Sequence, residues 1–471
     1  MFKQNPFSSL LRPLPVALVF SAFLQLPAQA FEPLVVPPSE HPILRDIQKS
    51  ASAENLRNDV TTLVSFGTRH TLSETESDTH GIGAARRWIK HEFEKISEQC
   101  GGCLEVIEQK RTFSGETRIP NPTEVVNIIA IQKGTTDPNR HIIMSGDIDS
   151  RVTDPLDFTS VSPGANDNAS GVAGVIEAAR MLSKYQFNGT LVYAALSGEE
   201  QGLFGGKIMA EQALEDNWRV EAVVNNDMIG NIAGINGVIN NTTARVFSEG
   251  VRVTETAQEA RLRRFTGGEV DSPSRNLARY IDVIADRYIP NLDIMMVYRL
   301  DRFARGGHHR PFNLVGFPAV RIMETNEHYD RQHQDLRSEN NREYGDVISG
   351  VDFDFNAKLT SLNAVTMASL AWAPAPPAGV EIKGAVQPST TLSWLKPQGK
   401  QAENLAGYRI YWRLTTEPQW THSQYVGNVE RFTLDNIVID NYFFGVASVS
   451  KDGFESPVVF PGPAGSFGGY Q

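Results

Sequence analysis

At 471 residues, 41% of them hydrophobic and 21% charged, the chain has the composition of an ordinary globular protein and exceeds the usual size of one core, so two domains are expected. Its 55 acidic side chains outnumber the 44 basic ones, for a formal net charge of −11, which argues against nucleic acid as a partner. With two cysteines in the chain, a four-thiolate zinc site is excluded.

The chain opens with Lys3 and Arg12, an apolar run from Pro13 to Leu26, and the small-x-small pattern Ala28-Gln29-Ala30. This reads as a cleavable signal peptide over residues 1–30 and predicts a secreted or periplasmic protein. The run is broken by prolines and falls short of the ~20 residues a spanning helix needs, and no later stretch is apolar enough, so no stable membrane insertion is expected. Cleavage takes away two positive charges and leaves −13.

After a proline-bearing lead-in, the pattern is helical over Ala53 to Val64 and again from Ile82. Cys100 and Cys103 follow that second helix in a C-G-G-C loop, where redox chemistry, metal binding or a small disulfide clip are the readings, the clip being favoured. Strands are expected at Glu124 to Ile131, His141 to Met144, Thr190 to Leu196, Ala222 to Asn226 and Ala319 to Met323, with helices over Asn168 to Leu182 and Phe355 to Leu370. Several of the strands are unbroken apolar runs, as in a sheet buried on both faces. The pattern predicts an α/β sandwich with a mixed, largely parallel central sheet, whose reactive groups sit at the carboxyl ends of the strands.

At Ala373-Pro374-Ala375-Pro376-Pro377 the composition changes, and residues 373–378 read as a proline-rich linker between a catalytic domain over 31–372 and a small all-β sandwich over 379–471. Alternating runs around Trp394, Trp412 and Tyr442 resemble a fibronectin type III module, which implies a partner protein or surface and no catalytic part.

Carboxylates recur where the strands end. His141 to Met144 leads into Gly146-Asp147-Ile148-Asp149-Ser150; a loop carries Gly164-Ala165-Asn166-Asp167-Asn168; the next strands end in Ser197-Gly198-Glu199-Glu200 and in Asn226-Asp227-Met228. So many like charges on one rim require cations, and divalent metals are implied.

This ordered set resembles the co-catalytic zinc aminopeptidase family, which contains secreted bacterial and fungal leucine aminopeptidases, and the resemblance runs from about Leu63 to Trp372. It implies two divalent ions, zinc in that family, held by Asp147, Asp167, Glu200, Asp227 and His333, with Asp167 bridging them and His328 the competing choice for the histidine. Glu199 is then the general base, and Asp149 belongs with it in the catalytic set. Peptide or protein N-termini are the implied substrates. One position departs from the pattern, because Asp147 stands where the family has His; an all-oxygen set of Asp147, Asp167 and Asp227 suits Mn²⁺ or Mg²⁺ better. His308 stands where an acidic residue is expected, and is placed behind the ligands, donating to Asp147 or Asp149 and returning positive charge when protonated. The rival readings are a single-zinc glutaminyl cyclase, a carboxypeptidase or dipeptidase, and a binding protein on a peptidase fold. His70 beside Arg69 and the Asp271-Ser272-Pro273-Ser274 segment read as structural, the latter as a surface turn.

Overall fold

A computed structural model describes residues 34–467; the expected signal peptide lies outside them. The central sheet has eight strands: β1 Glu105–Phe113, β2 Thr123–Gln132, β3 Asp137–Asp147, β4 Gly189–Leu196, β5 Arg219–Asn226, β6 Thr243–Ser248, β7 Asp293–Val297 and β8 Ala319–Glu324. Their order is β1-β2-β4-β3-β5-β8-β6-β7. The middle of the sheet, β4-β3-β5-β8, is parallel, while β1, β2 and β6 join by antiparallel pairing. Burial explains the apolar runs: every residue of β4 and of β8 is buried, so neither strand has a solvent side to alternate with.

Helices cover both faces. On one lie α1 Pro42–Gln48, α2 Ala53–Ser65, α3 Gly81–Gln99, α4 Ser170–Leu182, α8 Pro273–Tyr288 and α10 Phe353–Trp372, joined in one large core with Ile142, Met144, Val224 and Ile322. On the other, α6 Phe204–Glu215 and α9 His309–Leu314 pack Met209, Ala210 and Phe312 against Ile143, Val223 and Ala319. Two short helices, α5 Glu199–Gly202 and α7 Ala257–Thr266, and a hairpin, β9 Arg337–Glu339 with β10 Arg342–Tyr344, complete this part. No helix among the described residues is long and apolar enough to cross a membrane. Cys100 and Cys103 are disulfide-bonded.

Strands β11 Ala378–Lys383, β12 Thr390–Leu395 and β15 Arg431–Leu434 form one three-stranded sheet; β14 His422–Gly427, β13 Leu405–Leu414 and β16 Tyr442–Ser450 form another. Leu392, Trp394, Tyr408, Ile410, Phe444 and Val446 make a core between them, separate from that of the larger sheet. The segment from Ala373 to Pro377 is buried.

The residues read as a surface turn do something else. Ser272 caps α8 by accepting from Arg275 N, Pro273 stands at the first helical turn, and Asp271 is fully buried. A proline there is a helix start, since its missing N–H would have been unpaired anyway. Asp271 accepts from Arg279 Nη1 at 2.8 Å and from Arg413 Nη2 at 2.9 and 2.8 Å, which ties α8 to β13 of the sandwich by a buried triad. Taking one cation out of a buried group leaves charge without its partner, typically at a cost of about 3–5 kcal/mol. Arg413→Met is therefore expected to lower the unfolding temperature in calorimetry well beyond what an exposed Arg→Met change does; an unchanged transition would show that the triad does not hold α8 to the sandwich.

Candidate metal centre

In the parallel register Ser145, Asn225 and Arg321 stand side by side on β3, β5 and β8. Side chains alternate faces along a strand, so Asp147 and Asp227, two residues beyond the first two, emerge on that same face, under α6 and α9. From β4 the chain turns through Gly198, at φ +74° in the left-handed region that glycine adopts without strain, directly into α5, whose first turn carries Glu199 and Glu200. Asp149 holds that turn: its two oxygens accept from Glu199 N at 3.1 Å and Glu200 N at 3.0 Å, and Thr71 Oγ1 donates to it at 3.2 Å.

Asp167 is set by a different clamp. Arg69, buried, donates to the carbonyls of Leu63, Ile148, Pro163 and Gly164 and so fixes the approach to the loop. Asp346 accepts from Asn166 N and from Asp167 N at 2.7 Å. His70 bonds Pro155 O and Gln201 and stays out of the centre.

Three of the expected ligands converge. His333, at φ +53°, places Nε2 2.9 Å from Asp167 Oδ2 and 2.8 Å from Glu200 Oε1. One ligand atom from each of the three lies within 4.8 Å of the others, and His328 is not part of the group. Burial works against protonation of His333, yet the carboxylates of Glu200 and Asp167 overcome it and lift the ring to about 9. A nitrogen and two carboxylate oxygens beside an open cleft are the donor set of a catalytic zinc, with the fourth position left to water or substrate. Arg151 donates through Nε to Glu200 Oε2 at 2.7 Å and sets Nη2 2.7 Å from His333 Nδ1. The second contact sets a guanidinium against Nδ1, which carries a proton both in the charged ring and in a ring that would offer Nε2 to a metal, so it would open in either state.

The other expected ligands are engaged elsewhere. Asp147 meets His308 Nδ1 at 2.6 Å and accepts from Asn168 Nδ2 at 2.7 Å, and Asp227 Oδ2 lies 2.8 Å from Arg321 Nη2. Of the five expected ligands, the group whose ligand atoms the structure brings together among the described residues is Asp167, Glu200 and His333; Asp147, Asp167 and Asp227 form no such group. The reason is the neighbouring cation, Arg321, fully buried in β8, which the sequence reading left out. A lone arginine in the apolar run Ala319-Val320-Arg321-Ile322-Met323 was the signal that could have found it, since such a charge needs a buried anion. His308 lies beside Asp147, but burial pushes it down to about 4, so it brings a hydrogen bond at neutral pH and no positive charge. Burial also pushes Asp227 up to about 8, against the pull of Arg321.

Glu199 stands next to the three-residue set on the wall of a cleft of about 660 Å³, into which Asp167, Glu200, Asp227 and His333 also face. Burial, then Glu200, Asp227 and Asp147, push its carboxyl well above the ordinary range. Asp149, expected in the catalytic set, turns both oxygens to the backbone N–H groups of Glu199 and Glu200 and so holds the turn that carries them. Asp149→Asn keeps one acceptor and loses the other, so zinc content measured by mass spectrometry should stay near that of the wild type. Turnover should fall, by up to about a hundredfold if Glu199 shifts by an ångström. An unchanged kcat would show that α5 is held without this cap.

The sequence model of peptidase family M28 matches residues 127–349, the stretch that carries every one of these strand-end motifs. A probable zinc metalloprotease of Pyrenophora teres f. teres is 41% identical over 91% of this chain and 88% of its own length. One of Leptosphaeria maculans is 41% identical over 91% of this chain and 99% of its own. Among solved structures, the Legionella pneumophila LapA aminopeptidase superposes with a TM-score of 0.53 at 19% identity, over 73% of this chain and 78% of that one, which shows a shared fold. By descent and by its donor set, the chain belongs to peptidase family M28, as a zinc-dependent peptidase.

Proposed function

We propose that the protein is a secreted or periplasmic exopeptidase, an aminopeptidase that removes residues from peptide N-termini. The observation that carries the reading is the juxtaposition, in one cleft, of the Asp167, Glu200 and His333 donor set with Glu199, whose carboxyl burial and the neighbouring carboxylates push well above the ordinary range. Zinc held there supplies a Lewis acid that polarises the scissile carbonyl and acidifies water. Glu199 accepts the proton from the attacking water and returns it to the leaving amine. Asp149 keeps Glu199 in place through the backbone of α5. A cleft of about 660 Å³ falls in the range of pockets that enclose small ligands, which favours action at a chain end over cleavage within a long segment. The N-terminal direction is carried over from the motif resemblance and from the LapA aminopeptidase that shares the fold. Export is supported by the Cys100 to Cys103 disulfide, which persists in oxidising compartments. The C-terminal sandwich is read as a fibronectin type III-like module that contacts another protein or surface.

A second reading, a carboxypeptidase or dipeptidase, is favoured by one feature. Arg118, Lys207, Arg305 and Arg310 line the cleft, and among the described residues none of them has a carboxylate partner. In a chain of net charge −11 such a group of cations suits a substrate carboxylate.

A panel of free aminoacyl peptides, N-acetylated peptides, dipeptides and N-terminal glutaminyl peptides separates these readings. Release of the first residue from free amino termini alone is expected. Cleavage of N-acetylated peptides at their C-terminal residue would replace the aminopeptidase reading with a carboxypeptidase, and ring closure of glutamine without cleavage would replace it with a cyclase. Because Glu199 has to be ionised to act as base, its upward shift moves the acid limb of kcat/KM above the ordinary glutamate value of about 4.3. Glu199→Gln should keep the zinc and lower kcat by about a hundredfold or more; loss of the zinc in that variant would show that the wrong glutamate carries the proton.

A further inference from the structure

Arg321 is the third residue of a strand buried along its whole length, and its side chain is fully buried. A guanidinium cannot shed its charge in such a place, so its position is set by anions. Nη1 donates to both oxygens of Asp301, at 3.0 and 3.2 Å, and to Gly306 O at 2.8 Å. Nη2 reaches Asp227 Oδ2 at 2.8 Å, a close ion pair without hydrogen-bond alignment. Next to it both oxygens of Asp147 are taken, one by Asn168 Nδ2 and one by the His308 ring. That ring is seated on Gly206, where a Cβ would come within 2.8 Å of His308 Cδ2, so the contact depends on a residue without a side chain.

A metal shared by Asp147, Asp167 and Asp227 needs one oxygen from each at about 2.0–2.2 Å from a single point. Here Asp227 faces a fixed cation, Asp147 is doubly bonded, and the three form no such group among the described residues. A divalent ion placed among them would also stand against the guanidinium in a low-dielectric interior, where like charges repel strongly.

We propose that Arg321 takes the place of a second metal ion, as the built-in counter-ion of Asp227, and that the enzyme works with a single zinc at Asp167, Glu200 and His333. This rests on the reading of those three residues as the zinc site. Arg321 is a positioning residue: it touches Asp227, which lines the cleft, and does not line the cleft itself. The two-ion mechanism, in which paired metals roughly 3.5–4 Å apart clamp the attacking and leaving groups, is then replaced by one exchangeable ion and one tethered charge.

The test is metal stoichiometry on the full-length protein. The wild type is stripped with a chelator, dialysed, titrated calorimetrically with zinc chloride and then with manganese chloride, and the bound metal is counted by mass spectrometry. One zinc per chain, saturating in a single step with no added manganese, is expected. Two ions per chain overturn the inference and leave the zinc site standing, whereas none overturns the site and the inference together. Arg321→Lys should stay at one ion. Arg321→Met removes the tethered charge and should rise toward two; a folded Arg321→Met chain that binds one ion as the wild type does overturns the role given to the guanidinium. If the methionine variant does not fold, the counts on the wild type and on Arg321→Lys still decide.

Discussion

The constraint on which the centre depends is the gathering of carboxylates at the ends of β3, β4 and β5, on and behind the wall of a cleft where burial makes an unanswered charge costly. Each has to be answered by a donor or a cation, and the answers differ in kind. Asp149 is met by backbone N–H groups of α5, Asp346 by backbone N–H groups at Asn166 and Asp167, Asp147 by His308 and Asn168, and Asp227 by Arg321. What remains is Asp167 and Glu200, which share His333 and, through Glu200, Arg151. Those two carboxylates are the ones left with capacity for an ion. Glu199 is pushed well above the ordinary carboxyl range by burial and by Glu200, Asp227 and Asp147, a perturbation typical of a group that moves protons. The division of roles follows from the order in which partners run out.

That arrangement is only as accurate as the frame that holds it. Asp147 and Asp227 share a face because β3 and β5 are in parallel register, and Arg321 shares it because β8 continues the same row. Glu199 and Glu200 follow β4 after a two-residue turn, and the Asp167 loop is clamped from behind by Arg69 and Asp346. Ligands on strand ends and a capped helix lose little orientation before reaction, which is where much of the rate advantage of a fixed site arises. On the far side of the sheet α8 links this frame to the sandwich through Asp271, Arg279 and Arg413, a buried triad whose arginines also donate to backbone carbonyls, Arg279 to Val270 and Pro418 and Arg413 to Glu417.

How much of this could be read from the chain depended on whether the signal was local. Strands β2, β3, β4, β5 and β8 were legible because burial on both faces leaves an unbroken apolar run; β1 was not, because its alternating, partly exposed pattern Glu105-Val106-Ile107-Glu108-Gln109-Lys110 resembles a polar connection. The carboxylates announced themselves at strand ends. Their partners did not, because Arg321 answers Asp227 across 94 positions of sequence and His308 answers Asp147 across 161. The same holds for Asp271: read locally with Ser272 and Pro273 it is a turn, and the arginine from β13 that makes it part of a buried triad lies 142 residues away. A count of acidic residues alone therefore asked for two metals, since the cation that removes the need for one of them sits in a strand whose pattern is otherwise apolar.

The carboxylates of the rim can be followed partner by partner with a single ion in place. The ligand carboxylates Asp167 and Glu200, with Asp147 and Asp227 beside them, carry four formal negative charges when ionised. A zinc ion answers Asp167 and Glu200, with Arg151 Nε 2.7 Å from Glu200 Oε2 beside it; Arg321 is shared between Asp227 and Asp301, and Asp147 is met by hydrogen bonds from Asn168 and His308. His308 meets Asp147 as a hydrogen-bond partner and not as a cation, since burial keeps the ring neutral. A second divalent ion at Asp227 would stand against the Arg321 guanidinium, which is held there by Asp227 and Asp301 in a buried setting. Of the two ways to neutralise this rim, the chain carries the side chains for the one with a single exchangeable ion.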